Sequence, residues 1–291
     1  MNQLNHIYHY LGTEGIRITV ADITSAAIEA QEIHNLPSLS AMILGKILNA
    51  AAILATDFKN HEGVSLKWET NTGLGTIHAD AYEGRYIRGF VEHPDDGCTA
   101  YSKEAEAASV NNNGKLFVTR YSLLKLPYVS AVDLSKDNVA SCVSAYLNDS
   151  DQTLSYVQIE GKINESGKIT RMAGFMAQLM PEGNVRLFHE LFDGNQIDIF
   201  GSEDDENSLL HILNKEDYVL LGDAPVTFRC TCDEERIKTS LQSLPESEQQ
   251  SLLEDAHIEI QCHYCGRNFN ISRETLMQWF NENKSKGDHV Q

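Results

Sequence analysis

The sequence predicts an α+β protein in which two folded parts are joined by a helical segment of low stability. Three observations support this prediction. Residues 1–181 mix helical periodicity with alternating strands, residues 182–227 carry interrupted apolar clusters, and residues 228–291 hold four cysteines in two short pairs. We therefore expect an N-terminal α/β domain, a metastable helical linker and a small C-terminal domain with these boundaries.

Composition narrows the class of protein. The chain has 291 residues, with 42 acidic and 23 basic residues and a net charge of -19. This charge disfavours nucleic acid as a partner, because phosphate binding needs clustered Lys and Arg. The most apolar run, 41–55, is shorter than the ~20 residues of a membrane span, and the first residues do not have the pattern expected of a secretory leader. We expect a cytoplasmic protein without a membrane partner, in a reducing compartment that keeps cysteines available for metal.

The N-terminal domain is predicted element by element. Helical spacing of apolar residues runs over 22–58, and its middle is expected to be a buried helix. An alternating strand then passes through Val64, Leu66 and Trp68, followed by a glycine-punctuated meander to Val91. No phosphate-binding glycine motif is present, so Gly73, Gly75, Gly84 and Gly89 indicate turns and close strand packing.

The second half of this domain is predicted to contain a strand, a helix and a hairpin. The strand lies near 116–120 and the helix near 136–147. The hairpin pairs 154–163 with 169–179 across Glu165, Ser166 and Gly167. Cys142 lies on an apolar face of the helix and is expected to be a small core residue, whereas Cys98 receives no role.

The linker over 182–227 allows two interpretations. Its apolar clusters are interrupted by Gly194 and by the acidic run 203–206. Such a segment is typical of a layer that stays folded only while a neighbour supports it, since low local stability accompanies segments that move. A plain small helical subdomain is the alternative.

The C-terminal domain is predicted to be a small unit that depends on metal. A helix is expected to begin at 233–235, a second one at Pro245, and a strand at 258–260 leads into the last cysteine pair. A unit of this size has a small core, so a bound metal would supply much of its folding free energy.

The four cysteines are the most specific feature of the chain. Cys230 and Cys232 form a CxC pair, and Cys262 and Cys265 form a CxxC pair followed by Gly266. Two thiolate pairs match the closed tetrahedral site that zinc prefers, with His263 expected to be solvated rather than a ligand. A CxC pair can also close into a very small disulfide ring, so both a static zinc module and a redox switch remain open.

Two other cysteine chemistries fit less well. A thioredoxin-like dithiol catalyst should carry its CxxC near the start of a βαβ unit, whereas this one lies near the C-terminus. A zinc deaminase is not indicated, because His257 and Glu259 abut the CxxC too closely and the expected proline is missing. No catalytic residues are predicted.

The sequence resembles the 33 kDa chaperonin family, the bacterial redox-regulated heat-shock holdases. The resemblance runs nearly from end to end. The matching segments are Gly73-Leu74-Gly75, Arg88-Gly89-Phe90-Val91, Val118-Thr119-Arg120, Pro127-Tyr128, Ala173-Gly174-Phe175-Met176-Ala177-Gln178-Leu179-Met180-Pro181, Phe228-Arg229-Cys230-Thr231-Cys232, Glu235-Arg236 and Cys262-His263-Tyr264-Cys265-Gly266. The combination of CxC with a C-terminal CxxC is the specific part.

The resemblance implies an ATP-independent chaperone, not an enzyme, that binds unfolding proteins under oxidative stress. It implies that Cys230, Cys232, Cys262 and Cys265 hold one zinc ion in the reduced, inactive form. Oxidants such as peroxide or hypochlorous acid would then form the disulfides Cys230–Cys232 and Cys262–Cys265, release the metal and unfold the linker. The implied partners are unfolded clients, a second copy in an active homodimer, and ATP-dependent foldases that receive the clients. The alternatives are a static zinc-ribbon binding module and a thiol oxidoreductase.

Overall fold

The computed structural model describes residues 5–56, 62–94, 100–110, 114–122, 125–134, 138–215 and 218–287. The chain divides into two compact units, Met1–Arg229 and Cys230–Gln291. The mixed helix and sheet architecture confirms the predicted α+β class. The predicted boundaries at 181 and 227 stay predictions. The first compact unit itself continues through the linker to Arg229.

A five-stranded antiparallel sheet forms one layer of the first unit. Its order is β10-β1-β2-β9-β8. The strands are β1 His6–Leu11, β2 Ile16–Asp22, β8 Ser155–Ile163, β9 Ile169–Leu179 and β10 Val219–Pro225. The β8–β9 hairpin is therefore confirmed, whereas β1 and β2 were not predicted.

A six-stranded sheet forms a second layer, in the order β11-β5-β4-β3-β6-β7. Its strands are β3 Gly63–Glu69, β4 Thr76–Tyr82, β5 Tyr86–Val91, β6 Lys115–Ser122, β7 Lys125–Asp133 and β11 Thr227–Phe228. Among the described strands, β11 and β5 form the only parallel pair. Gly84 has a positive φ of 66° at a turn, and a Cβ on Gly89 would lie 2.5 Å from the His78 carbonyl oxygen, so both predicted glycine roles are found.

The helix α2, Ser38–Leu54, lies at the core and packs against strands of both sheets. Its side chains are buried on every face, which explains its apolar sequence. The predicted helix over 22–58 is in fact two helices, because Pro37 separates α2 from α1, Thr24–Ile33. Phe58 lies outside the described residues. The first unit also contains the helices α3, Lys103–Val110, and α4, Val139–Asp149. Cys142 on α4 is buried in the core, as predicted.

The linker is helical at first and then becomes part of the sheets. Its helices are α5, Val185–Phe192, and α6, Leu209–Lys215. Its residues 219–225 form β10 at the edge of the five-stranded sheet, and Thr227 begins β11. The helical interpretation of the linker did not include these strands. Backbone pairing with the non-local strand β1 decides this conformation, which sequence periodicity does not reveal.

The described part of the second unit contains three helices, α7 Glu234–Gln242, α8 Glu246–Leu252 and α9 Arg273–Gly287, and the hairpin of β12 His257–Gln261 with β13 Asn268–Ser272. The helices α7 and α8 and the strand β12 were predicted, whereas β13 and α9 were not. Its buried apolar core is small and is formed by Ile271, Leu276, Trp279 and Phe280. Within the described residues, none of the helices is both long and apolar enough to cross a membrane.

Candidate metal centre

Four cysteines from two separate segments meet in the second unit. Cys230 and Cys232 lie in the irregular segment between β11 and α7, and Cys262 and Cys265 lie in the turn between β12 and β13. Their four sulfur atoms all lie within 4.8 Å of one another. Two sulfur–sulfur contacts cross between the pairs, at 3.7 Å from Cys230 Sγ to Cys262 Sγ and 3.3 Å from Cys232 Sγ to Cys265 Sγ. The cluster is thus a four-sulfur set assembled from both predicted pairs.

Local backbone geometry explains the position of each pair. In the CxxC turn, the Gly266 amide donates to the Cys262 carbonyl at 2.8 Å and the Cys262 amide donates to the Arg267 carbonyl at 2.9 Å. Gly266 adopts a φ of 66°, which favours glycine. In the CxC segment, Asp233 caps α7 by accepting a hydrogen bond from the Arg236 amide at 2.8 Å, so the helix begins directly after Cys232.

The sulfur cluster fits a tetrahedral thiolate metal site. Zn–S bonds of about 2.3 Å place the sulfur atoms of a regular tetrahedron about 3.8 Å apart. The contacts of 3.7 and 3.3 Å are close to that spacing, and both are far longer than a disulfide bond of about 2.05 Å. Four thiolates at this distance need a cation, because their negative charges repel one another. The donor set and its spacing therefore suit zinc.

The surroundings shift the pKa values of the thiols in the cluster in different directions. Burial raises the pKa of the Cys230 thiol, but the Cys232 amide and the neighbouring thiols outweigh this effect, so the net pKa is lowered. Burial followed by hydrogen bonds from the other thiols raises the pKa of Cys232 above its ordinary value. The pKa of Cys265 is also raised, with burial as the largest cause. Without a cation, the cluster therefore favours ionising some thiols at the expense of others.

The structure separates the other candidate residues from the cluster. His263 is exposed and does not belong to the set of possible ligand atoms within the described residues. Cys142 is buried in the core of the first unit. Cys98 lies outside the described residues. The sequence had already separated the four ligand candidates from these three residues.

A second feature of the structure is an apolar sheet face that sequence analysis missed. We call it the covered face; it comprises Tyr8, Ile16, Ile18, Val20, Phe175 and Ala177 on one side of the five-stranded sheet. Phe188 and Phe192 of the linker are buried against it, and the Phe192 ring lies 5.5 Å from that of Tyr156 and 6.1 Å from that of Phe175. The alternation in 16–20 is the signal that could have indicated this face.

Polar contacts add to the attachment of the linker. The Gln158 side chain donates to the Ile197 carbonyl at 2.5 Å and accepts from the Ile197 amide at 3.2 Å. The Tyr156 hydroxyl donates to the Asn195 carbonyl at 3.2 Å. The linker thus contacts the sheet through a compact apolar cluster and a few hydrogen bonds.

The fold and the site define an α+β protein with a C-terminal four-cysteine centre and an apolar sheet face beneath a helical layer. Comparison with known proteins assigns this class to a family. The family model for the Hsp33 protein matches residues 6–272. A 33 kDa chaperonin of Aquifex aeolicus is 27% identical over 95% of this chain and 89% of its own length. A 33 kDa chaperonin of Streptococcus pneumoniae is 30% identical over 89% of this chain and 92% of its own.

A solved structure supports the same fold. The crystal structure of a 33 kDa chaperonin from Thermotoga maritima superimposes with a TM-score of 0.81 at 22% identity, covering 98% of this chain and 100% of that one. The chain belongs to the Hsp33 family. The relatives carry the name of a chaperone, which is not an enzyme class, so the predicted chaperone function is supported at this general level.

Proposed function

We propose that this protein is a redox-regulated, ATP-independent holdase that binds unfolding proteins during oxidative stress. The observation that carries the proposal is the pairing of two features in one chain. One is a cluster of four cysteines that oxidants can attack, and the other is an apolar face covered by a linker. Family membership supports the chaperone part of this proposal.

In the reduced form, Cys230, Cys232, Cys262 and Cys265 are proposed to hold one zinc ion as thiolates. A closed four-thiolate site supplies folding free energy and leaves no open position for catalysis. The small core of the second unit supports a large contribution from the metal. Because thiolates survive in a reducing compartment, a cytoplasmic location accompanies this proposal.

Oxidation is proposed to convert the ligand pairs into the disulfides Cys230–Cys232 and Cys262–Cys265. Each pair of thiolates reduces one H2O2 and takes up two protons, giving one disulfide and two water molecules. Two electrons leave the sulfurs in each step, so both disulfides consume two peroxides. A disulfide sulfur is no longer a thiolate ligand, and zinc is therefore released.

Loss of the metal is proposed to unfold the linker and open the covered face. Unfolded clients then bind this apolar surface, because large exposed apolar patches are typical of protein interaction sites. The active form is proposed to be a homodimer that passes its clients to ATP-dependent foldases. Nothing in this scheme requires a catalytic residue, a nucleic acid or a membrane.

One experiment tests the proposal against its alternatives. Zinc release and suppression of client aggregation are measured on the same samples, before and after peroxide at elevated temperature. We expect both to rise together. A static zinc module would retain its metal or release it without gaining client binding, and a thiol oxidoreductase would turn over a dithiol substrate after zinc removal.

A further inference from the structure

The two residues of β11 attach the end of the linker to the six-stranded sheet. The Thr227 amide donates to the Arg85 carbonyl, and the Arg229 amide donates to the Ile87 carbonyl, both at 2.9 Å. Phe228 between them is 6% exposed and belongs to the core of the first unit. This segment therefore has defined structure up to the residue that precedes Cys230.

Two tyrosines hold Arg229 in addition to the strand pairing. The Tyr82 hydroxyl donates to the Arg229 carbonyl at 2.6 Å. The Arg229 guanidinium carbon lies 4.6 Å from the centre of the Tyr86 ring, within the range of a cation–π contact. The Arg85 guanidinium carbon lies 4.8 Å from the same ring centre, but Arg85 belongs to the turn before β5 rather than to the linker.

The strand β10 is attached more weakly than the helices at the beginning of the linker. The strand β10 hydrogen-bonds to β1 as an edge strand, and its Val219, Leu220 and Leu221 are 60%, 48% and 60% exposed. The helices α5 and α6 instead bury Phe192 and Leu209 completely. Because few buried apolar groups mean low local stability, β10 is expected to open before these helices once β11 is detached.

We propose that Tyr82, Tyr86, Thr227, Phe228 and Arg229 form a latch that fixes the order in which the linker opens. The latch detaches first, β10 follows, and the covered face opens last, when α5 and α6 leave. Arg229 is followed directly by Cys230, so no spacer residue absorbs a displacement of the first cysteine pair. This inference rests on the proposed function and adds its direction, from the cysteines back along the linker.

Hydrogen exchange on the full chain tests the latch. Arg229→Gln removes only the guanidinium of the residue that precedes Cys230, and Arg85→Gln is the matched control that removes the other guanidinium from the same ring. In reduced, zinc-loaded protein, Arg229→Gln is expected to speed exchange over 219–229 by about two- to fivefold, as for the loss of one exposed cation–π contact. Arg85→Gln is expected to leave this region unchanged. Equal zinc content and equal circular dichroism show that both variants are folded.

The order of opening is read in the wild type after zinc is removed with a chelator. Exchange over 227–229 should rise first, then over 219–225, and last over 185–192. Simultaneous or earlier exchange of 185–192 would overturn the proposal, as would identical behaviour of the two arginine variants. Hydrogen exchange tests the latch without measuring client binding. Failure of the oxidised wild type to bind clients would instead refute the proposed function, so the two failures are distinguishable.

Discussion

Replacing Phe188 by alanine is expected to activate the reduced protein in part. Phe188 is 2% exposed, and its ring centre lies 5.0 Å from that of Phe192 in the cluster that joins the linker to the covered face. Removing a buried phenylalanine side chain costs about 3 kcal/mol or more. A loss of about 3 kcal/mol raises the ratio of open to packed linker by about 150-fold. The metal site is left intact.

A matched control lies on the same helix. Val185 is 51% exposed, so Val185→Ala removes little buried surface and should change stability by less than about 0.5 kcal/mol. We expect this variant to behave as the wild type in the reduced state. The comparison separates loss of packing on the covered face from a general effect of substitutions in α5.

The assay is light scattering by a chemically unfolded enzyme that is diluted into reduced, zinc-loaded protein. Suppression of scattering should appear with Phe188→Ala and not with Val185→Ala, and hydrogen exchange should rise over 185–192 in the first variant alone. If Phe188→Ala opened the linker by this measure and still failed to suppress scattering, opening of the covered face would not be the activating step.

Three further predictions concern the cysteine cluster. Cys262→Ser should abolish stoichiometric zinc binding, because it removes one of four ligands, whereas Cys142→Ser should leave metal content unchanged in a metal analysis of the purified proteins. Chelation should lower the melting temperature of the second unit, because its core is small, and the fluorescence of Trp279 in a Trp68→Phe background is the probe. An unchanged melting temperature would show that the metal adds no folding free energy. Zinc affinity should fall from pH 7 to pH 5, because protons compete with zinc for the thiolates. Competition titrations against a chelator measure this affinity, and an affinity that did not fall would argue against thiolate ligation.

The sequence was most informative where contacts are local. Spacing alone placed the four cysteines together, because each pair lies within one short segment and a four-thiolate site needs only two such segments. The hairpin of β8 and β9 and the helix α2 were likewise predicted from alternation and helical periodicity. These features need little information about distant parts of the chain.

Features that depend on distant pairing, or that carry an opposing local signal, were missed. The strands β1 and β10 come from opposite ends of the first unit, and their register is set by each other rather than by local pattern. The strand β7 contains Pro127, which weakens a strand prediction, but β7 is an edge strand, where proline is tolerated. The contact of Tyr86 with Arg229 joins residues that are far apart in the chain. No local sequence motif therefore predicts the latch.

The position of the latch bears on the choice between a structural zinc module and a switch. If the metal stabilised only the second unit, its loss would leave the linker unchanged, since α5 and α6 pack within the first unit. A switch requires that a change at the cysteines reach those helices, and the chain offers one covalent route, from Cys230 through Arg229 and β11 to β10. Zinc removal by a chelator under reducing conditions isolates this route, because no disulfide forms. Opening of the linker under those conditions would assign the restraint to the metal, whereas opening only after oxidation would assign the driving force to disulfide formation.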